Sequence, residues 1–196
     1  VNASPERFDL RRIEPQPWKN GAGVTREIAV GPTGADSDAF DWRISLAEVQ
    51  RDSPFSAFPG IDRCIVLLRG AGMRLRSAGG ELDHRLDAPL VPFHFIGDTP
   101  LSATLVGGPS SDFNVMTRRG AWVADVTTQR GTFESASADV TLLLCSEGEW
   151  RVDAESTETL GPMQALLWRE PALPLRVSPQ QAGALLLVRL CHDQGP

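Results

Sequence analysis

Apolar and polar residues alternate with period two in several short stretches of this chain. Trp42, Ile44 and Leu46 alternate with Arg43, Ser45 and Ala47, and DFNVMTRR (112–119) sets Asn114, Met116 and Arg118 on one face. Alternation of this kind marks a strand with its two faces in different surroundings. From Arg63 to Leu68 the chain is a near-continuous apolar run with a charged start, which also reads as a strand. Clusters rich in Gly, Pro, Ser and Asp at 31–38, 53–60, 76–81, 97–100 and 107–112 read as the turns between such strands. No stretch sustains three turns of helical periodicity, and one short turn around Pro179, Gln180 and Gln181 is the most that the pattern offers. The expected fold class is all-β, a sandwich or barrel.

The chain also repeats itself. LLRGAGMRL (67–75) has a counterpart in LLCSEGEWR (143–151), which sets Gly72 opposite Gly148, and PLSAT from Pro100 corresponds to PLRVS from Pro174. Fixed order at a nearly fixed offset predicts two copies of one β unit. Charged residues concentrate within the strands of the first copy, whereas the second, from Thr141 to Leu190, is plainer. A single site is therefore expected in the first.

Composition narrows the function classes. A formal charge of −6 offers no basic face for nucleic acid or for an anionic membrane. The longest apolar runs, such as Ala184 to Val188, are too short to span a bilayer, and VNASPERFDL has no basic-then-apolar signal pattern. A cytoplasmic chain is the expectation. Cys64, Cys145 and Cys191 are odd in number, widely spaced and set among aliphatic residues, which suits reduced thiols in a core. Lys19 is the one lysine against 18 arginines, and the histidines are His84, His94 and His192. No two of these histidines fall at a metal-motif spacing, and no G-x-S-x-G elbow is present. No cofactor is expected.

What remains is a set of cations and amides. PWKNGAG (17–23) sets the ammonium of Lys19 beside the amide of Asn20 in a loop bent by two glycines; it reads as an anion clamp or as a solvated surface turn. Arg43, Arg63, Asn114 and Met116 are strand positions, each an exposed residue if taken alone and together the outline of a polar cavity. Guanidinium forks and an amide in such a cavity suit a small carboxylate. His94 in VPFHFIGD is the one histidine that offers itself as a metal ligand, and a lone strand histidine is more often structural.

PWKNGAGVTREI, DWRISLAEV, SPFSAFPGIDRCIVLLRGAGMRL, PFHFIGD and DFNVMTRRG, in this order across residues 17–120, resemble the HutD/Ves family of bacterial bicupins. The resemblance implies two cupin barrels in one chain: residues 1–120 as the barrel with the ligand site, and 121–196 as a degenerate second barrel, with strands exchanged between the two allowed. It implies a small metabolite of histidine utilisation as ligand, of the formate, N-formylglutamate or urocanate type. Laid over the first cupin metal motif, Ala57 and Pro59 fall at the two histidine positions and Arg63 at the glutamate position, while the second motif's histidine falls near Gly97. A donor for an anion then stands where a metal would sit. Carried over block by block, the ligand-binding set is Lys19, Asn20, Arg43, Arg63, Asn114 and Met116, with Phe58 and Phe95 as apolar walls and Glu27 orienting an arginine. Ala22 stands where relatives commonly have Gly, and His94 interrupts an otherwise apolar block.

The leading expectation is a metal-independent binding protein that senses or buffers such an acid. The alternative is a metal-free isomerase or hydrolase, with Lys19 or His94 as general base and Arg63 stabilising an anion. A scaffold acting through its surface is a third reading. Arg63 is expected to be a buried charge without a partner, so that its removal abolishes ligand binding while lowering stability little or even raising it. Oligomeric state stays open, a homodimer included.

Overall fold

The computed structural model describes residues 4–35, 39–171 and 174–195, and the end of the expected turn at 31–38 lies outside them. The described residues form strands and no helix. In chain order the strands are β1 (Glu6–Asp9), β2 (Gln16–Pro17), β3 (Gly23–Gly31), β4 (Trp42–Val49), β5 (Ser53–Phe55), β6 (Ile61–Arg69), β7 (Met73–Ser77), β8 (Asp83–Leu86), β9 (Pro92–Ile96), β10 (Leu101–Leu105), β11 (Ser110–Arg118), β12 (Trp122–Gln129), β13 (Phe133–Ser135), β14 (Val140–Asp153), β15 (Thr157–Leu160), β16 (Gln164–Trp168) and β17 (Leu175–His192). No helix among the described residues is long and apolar enough to cross a membrane.

Two compact units result. One comprises residues 14–122 and holds a six-stranded sheet, β2-β3-β4-β11-β6-β9, and a four-stranded sheet, β5-β10-β7-β8. Ile65, Leu67 and Val49 of the first sheet pack on Phe55, Met73, Leu75, Leu86, Leu101 and Ala103 of the second. The other unit joins the residues through Ile13 to those from Val123 onward, because β1 pairs with β16. The expectation sets residues 1–120 in one barrel with strands exchanged between the two allowed; here residues 14–122 cluster together and β1 lies with the other unit.

The repeat is visible in the pairing. In the first copy β11 pairs with β4 and β6, β6 with β9, β7 with β8 and β10, and β10 with β5. In the second, β17 pairs with β12, β14 and β13, and β14 with β16 and β15. The long strand β14 thus stands for β6 and β7 run together, and β17 for β10 and β11. Gly72 and Gly148, matched by sequence, both adopt left-handed backbone, φ +85° and +78°. A Cβ would lie 1.9 Å from the Leu86 carbonyl oxygen at the first and 2.7 Å from that of Ala182 at the second, so each position needs glycine twice over.

Two local expectations fail. Residues 179–181 form no helical turn but lie inside β17, where Pro179 pairs with Trp150 next to a register shift; bulges are where a strand tolerates proline. The segment 53–60 is not all turn, since Ser53 and Phe55 are buried in β5.

Candidate functional site

Strict alternation puts Arg43, Ser45 and Ala47 of β4, Arg63, Ile65 and Leu67 of β6, and Asp112, Asn114 and Met116 of β11 on the inner face of the six-stranded sheet. Register assembles them in rungs: Val30, Arg43, Met116 and Arg63 in one, Glu27, Ser45, Asn114 and Ile65 in the next, and Thr25, Ala47, Asp112 and Leu67 in the third. Over this face opens a cavity of about 490 Å³, with Lys19, Asn20, Arg43, Arg63, Asn114, Met116 and Phe58 all in its lining. Every residue of the expected ligand set therefore borders one space. Trp18, Thr25, Ser45 and Phe55 border it too.

Arg63 is the centre of the arrangement. It is 6% exposed, and its guanidinium lies 5.0, 5.2 and 5.4 Å from the ring centres of Phe95, Phe55 and Phe58. Phe95 touches the site only through this contact; it is backed by Phe93, which stacks on His84. Such faces attract a cation and fill the space around its stem. Arg63 Nη2 donates to Asn114 Oδ1 at 2.9 Å, while Nη1 has a long bond of 3.4 Å to the Ser56 carbonyl. Burial lowers the Arg63 pKa to about 10, with Asp112 opposing and Arg43 adding to that shift; the side chain remains a cation at neutral pH.

Asn114 cannot be turned around, since arginine offers only donors. Its Oδ1 must face Arg63, and its Nδ2 donates to Asp112 Oδ2. Asp112 is fully buried, and desolvation pushes its carboxyl up to about 7 against the opposing effects of Arg63 and Asn114. Arg63 is thus not the partnerless charge expected from the sequence. It is one end of an Arg63–Asn114–Asp112 chain in which Arg63 Nε and Asp112 Oδ1 stay without hydrogen bonds.

Around this buried chain the other groups are wetter. Arg43 Nε donates to Glu27 Oε2 at 2.8 Å, the ion pair expected of Glu27, which supports the site from beside the cavity. Lys19 is exposed on the loop before β3. That loop is held by its own backbone, Trp18 N to the Gly23 carbonyl and Gly21 N to the Trp18 carbonyl, both 2.9 Å. Asn20 spends its Oδ1 on Ala22 N at 2.9 Å, so it shapes the clamp as well as bordering it. Ala22 is buried at this bend.

His94 does not join the site. Neighbouring Phe95 faces Arg63, so alternation turns His94 to the opposite side of β9, where it is exposed. His94 therefore cannot act as general base at this cavity. Arg118, placed by parity with Asn114 and Met116, instead pairs with Asp41 at the strand end. At Gly97 a Cβ would lie 2.7 Å from the Ile61 carbonyl oxygen and 3.3 Å from Arg63 Cδ, so a histidine has no room there. No group of three or more His, Cys, Asp or Glu among the described residues is placed to hold a metal.

Asp112, Phe55 and Trp18 escaped the reading of the sequence. Asp112 was within reach of it, two residues before Asn114 on an alternating strand.

The sequence model of the HutD family matches residues 11–187. Protein Ves of Cronobacter sakazakii is 35% identical over 173 residues, 88% of this chain and 91% of that protein. The structure of HutD from Pseudomonas fluorescens SBW25, titled as a formate condition, is 31% identical and superposes with a TM-score of 0.83 over 97% of this chain and all of that one. A cupin 2 conserved barrel domain protein from Leptotrichia buccalis is only 8% identical yet reaches a TM-score of 0.59 over 97% of this chain and 98% of that one, a likeness of fold alone.

Proposed function

The chain belongs to the HutD family, and from that premise we propose that residues 14–122 form a metal-independent receptor for a small carboxylate, in one half of a bicupin. The observation that carries this reading is the meeting of Arg63, Arg43, Asn114 and Lys19 at one cavity of about 490 Å³. Three cations border it, against the nearby carboxylates Glu27 and Asp112, so an anion is favoured even with both ionised. Charge-assisted hydrogen bonds of about 1.5–3 kcal/mol each, from Arg63 Nη1, the Arg43 fork and Lys19, bring a small acid to roughly micromolar affinity once the losses on association are met.

The ligand class is an acid of histidine breakdown, of the formate, N-formylglutamate or urocanate kind, and the protein senses or buffers it. The structure of HutD from Pseudomonas fluorescens SBW25 is described as a formate condition, which supports a small carboxylate as the ligand class. A cavity of this volume leaves room beyond a single formate, and the rings of Trp18, Phe55 and Phe58 suit the carbon skeleton of a longer acid.

Isothermal titration of the chelator-treated protein with formate, N-formyl-L-glutamate and urocanate tests the proposal. Saturable heat from at least one acid, lost in Arg63→Gln, is expected. A folded chain that takes up none of the three would end this reading.

A further inference from the structure

Behind the cavity wall lies a carboxyl group to which binding alone gives no task. Asp112 shares the inner face of β11 with Asn114 but does not itself border the cavity. Its cross-strand neighbours are Ala47 on β4 and Leu67 on β6, both apolar. Asn114 Nδ2 donates to one of its oxygens, and the other, Oδ1, is buried without a partner. Arg63 on β6 is the titratable group that acts on it, and Arg43 on β4 acts in turn on Arg63.

We propose that Asp112 is a positioning residue that makes anion capture at Arg63 proton-linked: as an anion enters, Asp112 takes one proton from solvent onto Oδ1. The inference rests on the binding function proposed above. In the empty site the guanidinium is the counter-charge of Asp112 alone. An anion on the cavity side sets that guanidinium between two negative charges. A buried carboxylate with one bare oxygen is already costly, and a second negative charge nearby makes its neutral form the cheaper one. One negative charge and one proton enter together, so the net charge of the site is unchanged. Asn114 is the fixed link, since its amide polarity is set by Arg63 whichever form Asp112 takes.

The test is calorimetry of N-formyl-L-glutamate and of formate, from about pH 6 to pH 8 and in two buffers of different ionisation enthalpy, with the native chain and Asp112→Asn. For the native chain, Kd should weaken as pH rises above neutrality, by up to about tenfold per unit, with uptake approaching one proton per anion. Asp112→Asn should bind with little dependence on pH and no such uptake. His84 and His94 do not border the cavity, and what they contribute is common to both chains. Binding by the native chain without proton exchange, or an equal pH slope in the two chains, would overturn the proposal. The proton count needs no variant, so poor folding of Asp112→Asn cannot rescue it. If a folded native chain binds neither acid nor urocanate at any pH, the receptor reading fails as well, an outcome distinct from binding without protons.

Discussion

The two copies of the β unit solve the same packing problem with different materials. In residues 14–122 the inner face of the sheet carries Arg43, Ser45, Arg63, Asp112 and Asn114, and leaves an open cavity. In the second copy the corresponding interior is closed by Trp150, Trp168, Leu143, Leu166, Leu185 and Leu187, all buried. Its strands also run through where those of the first copy break: β14 continues across Gly148, whereas β6 and β7 are separated at 70–72. The first copy gives up apolar burial for a polar space, and the second keeps burial and long ladders. The same pairing scheme therefore supports either a site or a plug, according to a few inward positions.

Arg63→Ala is the substitution that should affect the first copy most. It removes the proposed anion donor, leaves Asp112 without its counter-charge, and opens a void among Phe55, Phe58 and Phe95. A loss of about 3–5 kcal/mol in chemical denaturation is expected, together with loss of carboxylate binding. Undiminished stability would show that Arg63 carries no structural role and would restore the expectation drawn from sequence. Trp150→Ala tests the second copy: a void in a dry core costs about 3–5 kcal/mol, and carboxylate affinity measured on the folded fraction should not change. A large fall in affinity would mean that the plug is not merely structural.

Asp112→Asn is a smaller effect with a definite sign. The folded-state pKa of Asp112, about 7, lies above that of an unfolded aspartate, so the folded chain binds the extra proton between roughly pH 4 and pH 7. Native stability therefore falls, relative to the variant, as pH rises through this window. By about pH 8 the variant should be the more stable, on the order of a few kcal/mol, and the gap should close towards pH 4. Parallel stability curves for the two chains would contradict a buried, proton-holding Asp112. The smallest effect belongs to Lys19→Met. Lys19 is exposed, so the melting temperature should stay put while carboxylate affinity weakens about threefold to tenfold; no change in affinity would remove Lys19 from the site.

Period-two patterning and punctuation made much of the fold legible, and the pairing of Gly72 with Gly148 exposed the repeat although few other letters agree. Arg43 was legible because a charged residue between Trp42 and Ile44 must point somewhere polar, and the face it shares with Ser45 and Ala47 is the cavity floor. Asp112 was missed because an aspartate beginning a strand after GGPSS reads as part of a turn, and nothing local reports that its neighbours across the sheet are Ala47 and Leu67. Phe55 was hidden in the same way inside a Ser/Pro-rich stretch. His94 was overvalued because adjacency to Phe95 in sequence means opposite faces in a strand. Residues 179–181 read as a short turn because tolerance of proline at a bulge depends on the partner strand, which one segment's pattern cannot reveal.

The three phenyl rings around Arg63 have a kinetic consequence. A long side chain freed from such contacts would lose rotamer entropy each time it met an anion, roughly 0.5–1.5 kcal/mol; here that ordering is completed when the chain folds. With the guanidinium already immobilised between Phe55, Phe58 and Phe95, capture calls for no rearrangement of its main donor. Small acids of equal charge should then arrive at similar rates, and the proposed receptor would tell them apart by how long each one stays.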